Sequence, residues 1–141
     1  MSFESLDHTA DTAVRLRSRD PPELFRDATR ALSSIYLGPD AEVASRETLP
    51  VRLEAESPEA LLIDYLNELI FLFDTKRFLA AELAPVRLSL GSPSVLEGRI
   101  LGETFDPARH EAKTEIKAAT FHGLEIRKTA SGLEVDVVFD L

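Results

Sequence analysis

Three short stretches carry residue types that could do chemistry. In "LDHTAD", Leu6 to Asp11, the carboxylates of Asp7 and Asp11 flank the imidazole of His8. Such donors can ligate a divalent cation, or a carboxylate can orient the histidine as a general base. The same residues also suit a polar turn in which an aspartate accepts backbone N–H bonds. "VVFDL" closes the sequence with Asp140 directly before the main-chain carboxylate of Leu141. Like charges crowded in this way repel unless a cation or donor compensates, or unless a frayed end leaves them in water. In "AKTEIKAATFH" the alternation predicts a strand with Glu115, Lys117 and Ala119 on one face and Ile116, Ala118 and Thr120 on the other. Lys117 there either pairs with Glu115 or a cross-strand carboxylate, or presents a cation beside an acidic cluster.

The residue inventory narrows the chemistry. With no cysteine, thiolate clusters, disulfides and cysteine nucleophiles are excluded, and any metal site uses oxygen or imidazole donors. An oxygen-rich set favours Ca²⁺, Mg²⁺ or Mn²⁺ over zinc. His110 and His122 stand at loop and strand-end positions without a two-histidine metal spacing. No serine-nucleophile motif accompanies His8, and there is no glycine-rich phosphate loop. A metal-dependent hydrolase using His8 as base therefore lacks both a nucleophile and a phosphate cradle.

Twenty-five acidic against 16 basic residues give a formal net charge of −9, which opposes broad binding of a phosphate backbone by this surface. RNA, if involved, is expected to be held by a partner. The 141 residues suit one domain, residues 1–141, and a hydrophobic fraction of 44% is ample for its core. The start lacks a positive region followed by an apolar one, and "LNELIFLF" is too short to span a bilayer, so no membrane role is expected and the location is expected to be cytoplasmic.

The positioning elements follow from periodicity. Phe3 to Leu6 and "TAVRLRS" alternate as two half-buried strands joined through the acidic stretch. "RDPPELFRDATRALSSIYLG" reads as a helix with Asp20 as N-cap, prolines in the first turn and Gly38 at its end. "ETLPVRLEAES" alternates again, and Pro50 places its early part at an edge or just outside the ladder. "EALLIDYLNELIFLFDTKRF" predicts a second helix, apolar over most of its circumference, with Asp64 and Glu68 on one polar stripe. From Leu83 onward strands are expected: "PVRLSLG", "VLEGRILGET", "AKTEIKAATFH", "LEIRKT" and "LEVDVVFDL". Strands and helices do not alternate as in a doubly wound sheet, so the expected class is α+β. If the first and last strands are neighbours, Asp7 or Asp11 joins the Asp140 cluster.

"LDHTADTAVRL", "LFRDATRAL", "LLIDYLNELIFLFD", "GETFDPARHEAKTEIKAATFHGLEI" and the closing "VVFDL", in that order, resemble the archease family over essentially the whole chain. The resemblance implies two layered, mostly antiparallel sheets with two helices packed on one side. It implies a non-catalytic accessory protein that activates the RtcB-type RNA ligase of tRNA splicing and RNA repair. The activator promotes the ligase's metal-dependent guanylylation and its turnover, and broadens its nucleotide use. An alternative role in the family is a chaperone-like modulator of a tRNA methyltransferase. Carried over by residue, the metal site matches Asp11, Asp140 and the main-chain oxygens of Leu141, with Ca²⁺ as the expected ion, Asp7 and His8 in support, and Lys117 in ligase activation. Phe121 stands where the family commonly has tyrosine, Tyr65 where tryptophan is frequent, and Leu141 where isoleucine is usual. None of these departures removes a ligand.

Overall fold

The computed structural model of the chain describes residues 2–5 and 11–141, so Asp7 and His8 lie outside the described residues. Among the described residues, eight strands and two helices run in the order β1 (Ser2–Ser5), β2 (Asp11–Ser18), α1 (Pro21–Leu37), β3 (Glu47–Ala55), α2 (Pro58–Lys76), β4 (Phe78–Leu90), β5 (Ser94–Thr104), β6 (Ala118–Thr120), β7 (Arg127–Thr129) and β8 (Gly132–Asp140).

The first sheet has the order β1-β2-β8-β6, with β7 also pairing β8, and the second has the order β3-β5-β4. Every pairing is antiparallel. The expected α+β class with two antiparallel sheets and two helices is found. Each helix is shared between the sheets: α1 packs on β2 and β4, and α2 on β6 as well as β3, β4 and β5. The strands of the β-rich second half divide between the two sheets. β4 and β5 join β3, while β6, β7 and β8 return to the N-terminal strands.

Both helices start as their sequences dictate. The Asp20 side chain accepts the Glu23 N–H at 2.9 Å and the Ser57 hydroxyl accepts the Ala60 N–H at 3.1 Å, each ahead of proline in the first turn. Helix α2 is buried almost all round, from Leu61 to Phe73, and leaves Asp64 exposed and Glu68 half-buried on its polar stripe. It joins α1 through Tyr65, which has no exposed surface and whose hydroxyl lies 2.6 Å from that of Thr29. Pro50 sits in β3, an edge strand of the three-stranded sheet, where proline is tolerated.

Two boundaries differ from the sequence expectation. Helix α2 stops at Lys76, because Arg77 takes a left-handed φ of 54° and its N–H caps the helix, so β4 already begins at Phe78. The strand expected over "AKTEIKAATFH" reduces to Ala118–Thr120. Upstream of it the backbone finds other partners: the Lys113 N–H donates to the Tyr36 carbonyl at 2.7 Å and the Lys117 N–H to the Asp140 carbonyl at 2.8 Å. Ile116 and Ala119 are both buried while Glu115 and Lys117 are exposed, so the two-residue alternation that placed Ala119 with Lys117 does not hold.

Candidate functional site

Along β2 and β8 the residues opposite one another on one face are Arg17 and Glu134, Arg15 and Asp136, Ala13 and Val138, and finally Asp11 and Asp140. Two of these pairs are complementary. Arg15 grips Asp136 with two bonds, Nε–Oδ1 at 2.7 Å and Nη2–Oδ2 at 3.0 Å, and Arg17 Nε reaches Glu134 at 3.1 Å. The guanidinium of Arg15 holds the Asp136 carboxyl below its ordinary range, and Arg127 with Arg17 does so for Glu134. At the end of the same ladder the rule is broken, because two aspartates face each other with side chains on one side of the sheet. Like charges directly opposite destabilise a strand pair. In addition, Asp11 Oδ1 is buried and has no hydrogen-bond partner among the described residues, a state that carries a desolvation penalty.

The third expected ligand, Leu141, follows Asp140 directly and is 37% exposed. The register therefore brings Asp11, Asp140 and Leu141, from opposite ends of the sequence, to one corner. Among the described residues no three His, Cys, Asp or Glu side chains group as a ready-made metal cage. The corner holds the carboxylates of Asp11 and Asp140, with Leu141 lining the cleft beside Asp11. That oxygen-only set, with one orphaned buried oxygen, fits a hard divalent cation.

Lys117 lies on the β6 flank of this corner. Its N–H is bonded to the Asp140 carbonyl and the next residue, Ala118, pairs with Asp140. Its side chain is exposed and forms no ion pair with Glu115 or with any other described residue. The other flank opens into a cleft of about 740 Å³, walled by Asp11, Leu141, Phe3, Ile35, Gly38 and Lys113 among others. Nothing in the sequence sets Lys113 apart, because its neighbours in this cleft come from other elements. A methyl group built on Gly38 would lie 3.3 Å from its Cδ and 3.7 Å from its Nζ, which places the ammonium against the end of α1.

A buried polar knot holds the 105–117 segment that carries both lysines. Glu103 is 2% exposed and accepts the Ala44 N–H at 2.6 Å, the Arg109 guanidinium, and His110 Nε2 at 3.2 Å. The Asp106 N–H donates to His110 Nδ1 at 2.9 Å, so the ring proton is assigned to Nε2, facing Glu103. Burial pushes the Glu103 carboxyl up, but the Ala44, Arg109 and His110 bonds outweigh it and the net shift is downward. His110 is thus a loop residue as expected, but a buried one. Asn67 of α2 clamps β6 from below, accepting the Ala119 N–H at 2.8 Å and donating to its carbonyl at 3.2 Å. Replacing Asn67 with leucine is expected to leave both Ala119 groups unpaired, lowering stability by about 2 kcal/mol in urea unfolding. Unchanged stability would show that the clamp is dispensable. The legible signal was the bracketing of an Asp106-Pro107 turn by Glu103, Arg109 and His110. Asn67, one polar residue in an apolar helix, offered a weaker one.

The fold and site together define an α+β domain of two antiparallel sheets sharing two helices, with an all-oxygen corner where β2 meets β8. The sequence profile of the Archease protein family (MTH1598/TM1083) matches residues 3–141, and the chain belongs to that family. It is 34% identical over 142 residues to the protein archease of Methanosarcina mazei, covering 99% of this chain and 95% of that one. It is 33% identical to the protein archease of Archaeoglobus fulgidus, covering all of both chains. The solution structure of Methanobacterium thermoautotrophicum protein 1598 superposes with a TM-score of 0.81 at 30% identity, over 99% of this chain and 98% of that one. A Thermotoga maritima archease crystal structure, described as a possible chaperone, has the same fold: TM-score 0.60, 23% identity, 98% and 96% coverage. No described helix is long and apolar enough to cross a membrane.

Proposed function

We propose that this protein is a non-catalytic activator of an RtcB-type RNA ligase, working through a divalent ion, calcium in the first instance, held at the β2–β8 corner. The observation that carries the reading is the Asp11–Asp140 pair, two like charges kept face to face in a ladder whose other charged pairs are complementary. Family membership across residues 3–141 supports the partner.

In this reading Asp11, Asp140 and the main-chain oxygens of Leu141 hold the ion, and Asp7 and His8 belong to the same supporting stretch. When bound, the ion supplies positive charge beside an otherwise acidic surface, where it can meet the ligase's nucleotide phosphates. The chain's own residues do the rest. The β2–β8 register fixes the two carboxylates, the Lys117 N–H holds the Asp140 carbonyl in place, and the exposed Lys117 ammonium faces the ligase. RNA is gripped by the ligase, consistent with the net charge of −9.

The test is a ligase assay with GTP and metal. Asp11→Ala and Asp140→Ala are expected to reduce activation at least on the order of tenfold, the lower end of losses when a metal's outer contacts are removed. Lys117→Ala is expected to weaken activation while leaving calcium binding intact. Wild-type activation by both aspartate variants would sink the reading.

A second reading, a chaperone-like modulator of a tRNA methyltransferase, is favoured by two large exposed aromatics, Phe71 at 57% and Phe121 at 51%. Co-purification separates the two. Recovery of the ligase supports the first, and recovery of the methyltransferase alone supports the second.

A further inference from the structure

The cleft beside the metal corner has walls of opposite character. One wall carries Asp11 with its orphaned buried oxygen, and Leu141. Lys113 lines the same cleft, with its ammonium along Gly38 and in no ion pair with any described residue. Ser34 and Thr114 line the same space, and no described residue engages either hydroxyl. Gly38 takes a φ of +95° at the end of α1, and a Cβ there would press on the lysine side chain at 3.3 Å. The lysine's position therefore depends on that glycine. The cleft volume of about 740 Å³ falls in the range of small-molecule sites.

A bare cation site gains nothing from a lysine in its wall, because like charges oppose each other. A cation and two free hydroxyls in one cleft with a carboxylate corner suit a ligand that brings negative oxygens of its own. We propose that this cleft binds a divalent ion together with a phosphate group chelated to it, and that Lys113 recognises the phosphate. The proposal rests on the metal reading of the Asp11–Asp140 corner and adds the ligand class and a residue to it. Lys113, rather than Lys117, is the lysine on the cleft side. The phosphate's donors are the Lys113 ammonium and the Ser34 and Thr114 hydroxyls, a charge-assisted set of the kind phosphates favour. Phe3 and Ile35 leave an apolar wall for the organic part of a phosphate ester.

Lys113→Met separates this role from a structural one, because it is expected to act in opposite directions on two ligands. With calcium alone the variant should bind about three- to tenfold more tightly, the effect of removing one positive charge from a divalent ion's neighbourhood in a largely aqueous cleft. With adenosine monophosphate present at fixed free calcium, the wild type should bind calcium more tightly than without it. Lys113→Met should lose that gain, and Lys113→Arg should restore it. Titration calorimetry with dilute inorganic phosphate as a parallel arm separates recognition of the phosphate alone, giving equal coupling, from use of the apolar wall, giving stronger coupling to the nucleotide. Coupling that survives Lys113→Met unchanged, or its absence in a calcium-binding wild type, overturns the proposal. A correctly folded wild type that binds no calcium overturns the metal reading itself, which the metal-only titration reveals separately.

Discussion

Glu103→Ala is expected to lower the unfolding free energy by about 3 kcal/mol, measured by urea denaturation near pH 7. The carboxylate sits 2% exposed at the end of β5 and serves the Ala44 N–H, Arg109 and His110 at once. Its removal leaves a half-buried N–H and a buried ring N–H without acceptors, whereas the Arg109 side chain, 40% exposed, can turn to water. The sign of the pH dependence follows from the downward shift of its folded-state value. A carboxyl held below its unfolded value contributes stability fully above the ordinary glutamate range near pH 4.3, and loses it as pH falls through the lower folded value. The wild type and Glu103→Ala should therefore differ most at neutral pH and converge in acid. Glu23 adds to the wild type's acid sensitivity, since bonds from the Arg19 N–H and guanidinium hold its carboxyl at about 2. A gap between wild type and variant that stays constant down to pH 3 would show that ionised Glu103 does not hold the knot.

Gly102→Ala is expected to be comparably severe, for a purely steric reason. A Cβ on residue 102 of β5 would overlap the Leu79 carbonyl oxygen of β4 and stand 2.8 Å from the Phe78 ring. The adjoining register shift between Ala80 and Glu82 belongs to the same crowding. Because the obstacle is backbone, no rotamer change relieves it. A loss of about 3 kcal/mol is expected, the upper end of overpacking effects, with a fall in Tm on the order of 10 °C. The displaced β5 would also drag Glu103, the next residue, out of its knot, so that the two variants combined should lose less than their sum. A Gly102→Ala protein melting with the wild type would refute the close approach.

What periodicity and caps carry was readable in the sequence: both helix starts and, from Pro50, an edge for the third strand. The pairing of the first long strand with the last stood there only as a condition, which the β2–β8 register meets. That pairing turned two weak acidic signals, Asp11 and Asp140, into one corner. The misreadings came from segments whose backbone is satisfied by something other than a neighbouring strand. "AKTEIKAATFH" alternates convincingly, yet Lys113 and Lys117 donate to the end of α1 and to Asp140, so only Ala118–Thr120 pairs as strand. Arg77 ended α2 in a left-handed conformation without the glycine that would have announced it. Lys113 looked like any surface lysine, because its relation to Gly38 spans two elements and has no local pattern. Glu103 and Asn67 act through partners far away in sequence, which periodicity does not report.

The central claim is that the facing aspartates Asp11 and Asp140 are kept for a cation, and unfolding with and without calcium tests it most directly. In chelator, Asp140→Asn should be more stable than the wild type, because the substitution relieves like-charge repulsion across the strand pair. With calcium at about 100 times its dissociation constant the wild type should gain about 2.7 kcal/mol, while the variant gains far less and the order reverses. An Asp140→Asn protein less stable than wild type in chelator, with neither protein responding to calcium, would contradict the account.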